Sequence, residues 1–181
     1  MVEGRIPMTP ASTNSIEVGR LLAGAAKVVR EVRYCWLATT SGDGDINARP
    51  MGRLVHDPGE DEWTLRFVTD GRSHKMSDLR RDGRVALLFQ DDPSDAYVAL
   101  IGRATLQSEV SEVRRRWKAH YDAYFPTALD RANAVFVEVA VQRMELWIRG
   151  VTPEPFGLQT TRLARGAGDT WRLIPYDRKA A

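Results

Sequence analysis

The pattern of apolar and polar positions along this chain predicts β-strands, because short runs rich in apolar, β-branched and aromatic residues recur between clusters of turn residues. Four runs of this kind are separated by turn residues: "RYCWLATTS", "WTLRFVT", "RVALLFQ" and "AYVALIGRATLQS". A fifth and longer run, "AVFVEVAVQRMELWIR", has an alternating section in which Phe136, Glu138 and Ala140 are set against valines at 135, 137 and 139. These runs predict a mainly β protein whose strands are joined by short turns.

Glycine and proline positions refine the predicted strands. Gly42 and Gly44 in "GDGD" predict a tight hairpin between the first strand and a return strand, "INARPMGRLVHD". Pro50 lies inside the return strand and has no backbone N–H, so this strand is expected at a sheet edge, or bulged or interrupted there. Gly102 predicts a bulge or bend in the long strand that follows.

Three stretches have the apolar spacing of helices. The first is expected from Asn14 or Ser15 to about Arg33, the second over about residues 73–81, and the third over "EVRRRWKAHYDAYF", with a short link at 129–133. The helices occur singly and do not alternate regularly with strands. We therefore expect a mainly β fold, an antiparallel barrel of six strands with appended helices, and not a doubly wound parallel sheet.

The length of 181 residues suits one domain with terminal extensions. Residues 1–13, rich in Pro, Thr and Ser, are expected to be a flexible lead-in. The barrel domain is expected over residues 14–150. Residues 151–181 form a C-terminal extension with two further strand candidates, "FGLQTTRL" and "TWRLIP", which we expect to pack on the barrel or on a partner subunit.

Composition excludes several classes of function. The formal net charge is only +2 with acids and bases interspersed, which argues against nucleic-acid binding. The basic stretch "RRRWKAH" is interpreted as a charged helix face. The N-terminus lacks the apolar core of a signal peptide, and no apolar run approaches the roughly 18 residues of a membrane span. The one cysteine, Cys35, lies in an apolar run. A cytoplasmic protein without membrane association is expected.

A first candidate site lies in "VTDGRSHKMSDLRRDGRVALLF", where a strand, a polar turn and a helix start follow one another. Thr69, Ser73 and Lys75 could bind a phosphate together with the free N–H groups of the first helical turn. The alternative is a plain helix cap, with Ser73 at the N-cap and Lys75 solvated. The stretch lacks both the G-x-x-x-x-G-K and the G-x-G-x-x-G pattern of nucleotide-binding loops.

A second candidate lies in "NARPMGR", where an arginine precedes a proline in mid-strand. Arg49 could bind phosphate through two parallel hydrogen bonds, and Pro50 would leave backbone near Met51 free to face a ligand. The alternative is a solvated arginine on an edge strand. The three histidines, at 56, 74 and 120, have no metal-ligand spacing, and no G-x-S-x-G motif indicates a hydrolase.

Together, "ARPM" and, about twenty residues later, "FVTDGRSHKMSDLRRDGRVALLF" resemble the FMN-binding split barrel superfamily, the family of pyridoxamine 5′-phosphate oxidase. The closest likeness is to its smaller, general-stress-protein-type branch, and it covers about residues 15–150. The order of the predicted helices and strands agrees with that family. The resemblance implies a homodimer that binds FMN in a groove between two subunits.

The resemblance also implies roles for individual residues. It places Arg49, Ser73 and Lys75 on the FMN phosphate, and Pro50 and Met51 along the isoalloxazine ring. Val68 and Thr69 correspond to the opposite wall of the ring and ribityl chain. His74 replaces a second arginine of the oxidase, which gives a weaker phosphate contact when neutral and a pH-sensitive one when charged. Trp147 is similar to a tryptophan near the ring, with an ordinary barrel or interface aromatic as the alternative. The resemblance thus assigns nine residues to the candidate FMN site: Arg49, Pro50, Met51, Val68, Thr69, Ser73, His74, Lys75 and Trp147.

One departure from the family bears on activity. The oxidase holds its pyridoxal substrate with an Arg-x-His near the C-terminus, and the tail "TTRLARGAGDTWRLIPYDRK" contains none. We therefore expect a flavin-dependent oxidoreductase acting on another small molecule, and name no catalytic residue. The alternatives are a non-enzymatic flavin-binding or stress-response protein, and the same barrel binding deazaflavin F420 or haem.

Overall fold

A computed structural model describes the backbone of residues 10–175 and the side chains of residues 14–175. Within them the chain forms four α-helices and eight β-strands. The helices are α1 (Pro10–Glu31), α2 (Lys75–Arg81), α3 (Val110–Arg116) and α4 (Ala128–Ala132). The strands are β1 (Tyr34–Thr40), β2 (Ile46–Gly52), β3 (Thr64–Asp70), β4 (Arg84–Asp91), β5 (Ala96–Gln107), β6 (Ala134–Ile148), β7 (Thr161–Arg165) and β8 (Trp171–Leu173).

All the strands belong to one antiparallel sheet in the order β2-β1-β4-β5-β6-β7-β8, with β3 paired to β6. The 15-residue β6 pairs with β5 along one edge, and its other edge is divided between β3 and β7. β2 is an edge strand, as Pro50 predicts. The predicted class, mainly β with an antiparallel barrel and appended helices, is confirmed, although the sheet has eight strands and not six.

The core lies inside the curved sheet and under α1. Alternate residues of the strands point inward, so Leu65, Phe67, Leu87, Leu100 and Val139 are fully enclosed. α1 packs its apolar face, with Leu21 and Ala25, against the same cluster. A second, smaller cluster lies beyond β6: Val113, Tyr121, Phe125, Ala134 and Phe136.

The predicted bulge at Gly102 is confirmed by a shift of the β5–β6 register between Ile101 and Gly102. A Cβ atom at Gly102 would clash with the carbonyl oxygen of Ala140 and lie 3.1 Å from the Cα of Val141. Only glycine therefore allows the two strands to approach this closely.

Three element predictions are corrected. α1 begins at Pro10, earlier than Asn14, and residues 1–9 of the predicted lead-in lie outside the described residues. The single helix predicted up to Pro126 ends at Arg116, because Trp117 is extended, and a 3₁₀ helix follows at Ala119–Ala123. The predicted link at 129–133 is mostly helical: α4 begins with a capping box formed by Thr127 and Asp130.

The C-terminal extension continues the sheet as far as it is described. β7 pairs with the C-terminal half of β6, and β8 pairs with β7. Trp171 contacts Trp63 edge to face, and Arg165 donates a hydrogen bond to Asp61 at 2.9 Å. This hairpin therefore covers the half of β6 that lies away from β3. Among the helices of the described residues, none has the length and apolar character needed to cross a membrane.

Cys35 is expected to be unreactive in the folded protein. Its side chain is buried in β1, and burial raises the pKa of its thiol to about 12. At pH 8 it should therefore react with a thiol-specific disulfide reagent only after unfolding. The measurement is the rate of thiol release with and without denaturant; a fast reaction of the native protein would contradict the buried placement.

Candidate functional site

A cleft separates the two strands that the sequence singles out. β2 pairs with β1 and β3 pairs with β6, so one edge of each strand is not used in these ladders. The free edges approach at one end, where Leu54 N–H donates a hydrogen bond to the Arg66 carbonyl at 2.8 Å. Beyond that point the barrel is split, and backbone groups of both strands are available to a ligand.

A cavity of about 620 Å³ occupies this cleft. Pro50 and Met51 line it from β2, and Val68 and Thr69 from β3. Ligand sites typically measure about 300–1,000 Å³, so a planar ring system and a second small molecule are of a suitable size. The structure thus brings together the four residues that the sequence places around one ring.

Arg49 lies next to this cavity, directly before Pro50, and is partly buried. Its Nη1 donates to Thr39 Oγ1 at 2.6 Å, and its Nη2 lies 3.5 Å from Asp78 Oδ2. The alternative of a solvated arginine on an edge strand is therefore wrong. The guanidinium is held in place by Thr39 of β1 and Asp78 of α2. Neither Arg49 nor Lys75 is among the residues that line the cavity itself.

Lys75, the first residue of α2, is a second cation near Arg49. Burial lowers the pKa of its ammonium group, and the nearby positive charge of Arg49 lowers it further, while Asp70 opposes the shift. Within residues 14–175 no carboxylate lies at ion-pair distance from the Lys75 ammonium group. Two neighbouring, partly desolvated cations, of which only Arg49 has a carboxylate at ion-pair distance within residues 14–175, form a site that an anion would stabilise.

Asp78 is the carboxylate of this site, and sequence reasoning missed it. It is buried and accepts hydrogen bonds from Thr39 Oγ1 at 2.9 Å and Asn47 Nδ2 at 3.3 Å. Burial alone would raise the pKa of its carboxyl group, but these hydrogen bonds and the charge of Arg49 outweigh it, and the pKa is lowered. The available signal was its spacing from Lys75, since residues three apart share one face of a helix.

Ser73 and His74 do not form the side-chain cap of α2 that the sequence offers as the alternative to a phosphate site. The N-cap of α2 is His74, without a side-chain cap, so the interpretation of Ser73 as N-cap is wrong. Ser73 Oγ instead donates to the Asp70 carbonyl at 2.7 Å and fixes the turn after β3. His74 is exposed, and its carbonyl accepts a hydrogen bond from Ser77 Oγ. Ser73 and His74 thus lie beside Lys75, at the start of the helix.

Trp147 is not brought to this site within one chain. In the β3–β6 ladder Val68 pairs with Phe136, and Trp147 follows Phe136 by eleven residues on β6. That separation amounts to about 35 Å of strand at ~3.3 Å per residue. Trp147 is accordingly not among the residues that line the cavity.

One wall of the cavity was not expected. His120, Tyr121, Tyr124 and Phe125 line it from the 3₁₀ helix and the turn after it. The sequence analysis placed these residues on one regular helix with a charged face and assigned them no role in the site. No group of three or more potential metal ligands is present among the described residues.

Comparison with protein families gives an independent view of the chain. The model of the family described as pyridoxamine 5′-phosphate oxidase like matches residues 23–159, which is more than half of the sequence. No curated protein matches the chain.

Similar solved structures have the same fold at low sequence identity. A Clostridium acetobutylicum protein related to general stress protein 26 has a TM-score of 0.64 at 16% identity, covering 82% of this chain and 95% of its own. PhzG of Burkholderia lata 383, in complex with tetrahydrophenazine-1-carboxylic acid, has a TM-score of 0.62 at 18% identity, covering 94% and 98%. A pyridoxamine 5′-phosphate oxidase-related FMN binding protein of Nostoc punctiforme has 0.56 at 16%, covering 94% and 100%. At these identities the likeness shows the fold alone.

Proposed function

Because the chain belongs to the pyridoxamine 5′-phosphate oxidase-like family, we propose that it binds FMN in the cleft between β2 and β3. The phosphate would bind Arg49 and Lys75, and the ring would lie between Met51 and Val68. The proposal rests on two partly buried cations beside a ring-sized cavity: Arg49 directly precedes the lining residue Pro50, and Lys75 follows the lining residue Asp70 by five positions. Within residues 14–175, Lys75 has no carboxylate at ion-pair distance. The Nostoc punctiforme relative with this fold is described as an FMN binding protein.

Titration of the ligand-free protein with FMN and with riboflavin tests this assignment. The two ligands share the ring, and only FMN carries the phosphate. We expect a saturable change in flavin absorbance and fluorescence with FMN, and weaker binding of riboflavin by about tenfold or more, because its phosphate contacts are missing. Equal affinity for both flavins would contradict the phosphate site. Parallel titrations with deazaflavin F420 and haem decide between the cofactors.

Bound FMN would supply hydride or electron transfer, which supports a role as an oxidoreductase acting on a small molecule. The protein would hold the phosphate and the ring and keep water from one ring face. Anaerobic mixing of the FMN-loaded protein with NADH or NADPH tests this role through bleaching of the flavin absorbance. Firm FMN binding without bleaching by these or by artificial donors would favour the alternative, a non-enzymatic flavin-binding protein.

We also propose that the functional unit is a homodimer, formed through the outer face of β2, β1 and β4. Large apolar side chains are exposed there: Trp36 is 50% accessible and Ile46 78%, and Tyr34 and Leu88 are also exposed. Trp36 pairs with Pro50 on one side and with Leu88 on the other, so the exposed apolar residues are direct neighbours on one face. Patches of this kind mark interaction surfaces.

Trp147 lies on the same outer face. Through the ladders, Leu88 pairs with Ala99, and two residues further along β5 Tyr97 pairs with Trp147. A second copy docked on this face would bring its own Trp147 into the interface, close to the Pro50 edge of the cavity. The homodimer would therefore explain how a tryptophan distant from the site in one chain reaches the ring.

Trp36→Glu is expected to convert the dimer to a monomer, because it places a charge in the centre of an apolar interface. Light scattering after size-exclusion chromatography measures the mass. Val110→Glu is the matched control: Val110 is 61% exposed on α3, away from this face, and its replacement should leave the mass unchanged. A monomeric wild-type protein, or a dimeric Trp36→Glu variant, would contradict the proposal.

A further inference from the structure

We propose that the end of the cavity near Arg33 and Tyr124 is a subsite for the carboxylate of an organic substrate. This inference rests on the proposed function, since it takes the ring to lie against Met51 and Val68. The subsite is built from two separate elements, the residue that precedes β1 and the turn that follows the 3₁₀ helix. Both residues line the same cavity as the ring wall.

Three arginines line this end, and two are already occupied. Arg30 Nη1 is paired with Glu62 Oε1 at 2.6 Å. Arg53 donates from Nε to the Val29 carbonyl and from Nη2 to the Arg30 carbonyl, both at 2.5 Å, and so covers the C-terminus of α1. Their N–H groups are thus directed at acceptors within the protein.

Arg33 differs from both. Its Nη2 donates to the Tyr124 hydroxyl at 3.0 Å, and its guanidinium lies 5.1 Å from the centre of the Tyr34 ring. Within residues 14–175 no carboxylate lies within ion-pair distance of it. The remaining guanidinium N–H groups are therefore available to an anion in the cavity.

Tyr124 adds a second donor. Its oxygen accepts the hydrogen bond from Arg33, which leaves its own O–H free to donate to a ligand. His120, on the same wall, is exposed and packs edge to face against Tyr121 with ring centres 4.3 Å apart. The two carboxylates that line the cavity, Asp70 and Asp130, are both paired with Arg72. The Arg33 end is thus rich in donors, and the carboxylates among the described lining residues are already paired.

The position of Arg33 sets the size of the substrate. Arg53 N–H donates to the Arg33 carbonyl at 3.3 Å, so these two residues lie opposite each other in the β1–β2 hairpin. Arg53 follows Met51 by two residues, a distance of about 7 Å along the strand. In a substrate whose carboxylate binds Arg33, an atom separated from that carboxylate by about one aromatic ring would therefore lie at the edge of the flavin. A planar carboxylic acid of one or two rings fits this spacing, and the carboxylate fits the planar guanidinium.

Benzoate and its neutral analogue benzamide are matched probes, equal in shape and different in charge. With FMN-loaded protein, benzoate should bind and perturb the flavin absorbance, and benzamide should bind at least about tenfold more weakly. Arg33→Gln should weaken benzoate binding about tenfold and Tyr124→Phe several-fold, while both variants keep the wild-type affinity for FMN. Arg143→Gln, which removes an exposed arginine from β6 outside the cavity, should leave both affinities unchanged.

The outcomes separate this inference from the proposed function. Equal binding of benzoate and benzamide, an unchanged benzoate affinity in Arg33→Gln, or no saturable benzoate binding to FMN-loaded protein would overturn the subsite. The subsite would also be overturned if wild type did not bind benzoate and Arg33→Gln lost the ability to dimerise. Arg33 would then bind a group of the second copy of the chain and not a substrate carboxylate. Failure of the wild-type protein to bind FMN would instead refute the proposed function, and benzoate would then be titrated against ligand-free protein by intrinsic fluorescence, with the same criteria.

Discussion

Lys75→Met is expected to weaken FMN binding by about ten- to a hundredfold, because a hydrogen bond between charged groups contributes roughly 1.5–3 kcal/mol. The same change should leave the free energy of unfolding of the ligand-free protein unchanged or slightly higher. Lys75 is partly buried, has no carboxylate at ion-pair distance within the described residues and lies in the field of Arg49. Methionine keeps most of the side-chain volume and removes an unfavourable charge. A residue that serves only the fold would give the opposite result for stability.

Two titrations and one unfolding curve check this expectation. FMN affinity should fall in Lys75→Met, whereas riboflavin affinity should stay within about twofold, since riboflavin has no phosphate. Arg80→Met is the matched control, because Arg80 is exposed on the same helix and its removal also lowers the net charge by one. Equal losses for FMN and riboflavin, or a clear loss of stability in urea, would contradict the assignment.

Arg49→Ala should weaken FMN binding to a similar extent but should also destabilise the ligand-free protein. Asp78 would lose its nearest cation and would keep only the hydrogen bonds from Thr39 and Asn47. The contrast between the two variants distinguishes the cation that the fold requires from the cation that serves the ligand. If the double variant Arg49→Ala/Lys75→Ala kept the wild-type FMN affinity, the site assignment would be wrong.

Gly102→Ala is expected to lower the free energy of unfolding by about 2–3 kcal/mol, the upper part of the range for overpacked positions. The added Cβ would meet backbone atoms of Ala140 and Val141, and backbone cannot move aside as a flexible side chain can. The bulge between β5 and β6 would have to open at the centre of the sheet. Urea unfolding monitored by tryptophan fluorescence, at one fixed protein concentration, measures the change.

Gly19→Ala provides the control for this substitution. Gly19 lies within α1, and a Cβ there would meet no atom within 4 Å. The same chemical change should therefore stabilise the protein by about 0.5–1 kcal/mol through helix propensity and a less flexible unfolded chain. Similar effects of the two substitutions would show that the close contact at Gly102 does not matter.

The strands could be predicted from sequence because their signal is local. Alternation, a hairpin glycine and an edge proline each act within a few residues, and β1–β6 lie at the predicted runs, although β2 ends at Gly52, five residues before the end of the predicted return strand. The prediction of the third helix was wrong because it also depended on a local signal. Residues 112–125 have helical spacing, but the chain extends at Trp117, whose ring packs against Tyr121 and Phe125 in the second core cluster. Tertiary packing there overrides local propensity.

The site was predictable where residues are close in sequence or carry a family motif. Met51 and Val68 were expected to face each other across a ring, and they line one cavity. Asp78 and the wall formed by His120 and Tyr124 were not expected, because their positions depend on how distant elements pack. Arg33 lay at the end of a predicted helix, where an arginine is ordinary. Its proposed role depends on its hydrogen bond to Tyr124 and on the lack of a carboxylate at ion-pair distance within residues 14–175, and both depend on the fold.

The position of β6 has a consequence for synthesis on the ribosome. This strand supplies partners to β3, β5 and β7, yet it is complete only at Ile148. Until then β3 lacks the strand it pairs with, and β5 is paired only with β4, so both strands have unpaired edges that are prone to association with other chains. Nascent chains arrested before residue 134 should therefore be sensitive to protease and should recruit chaperones, and protection should appear once β6 has left the exit tunnel.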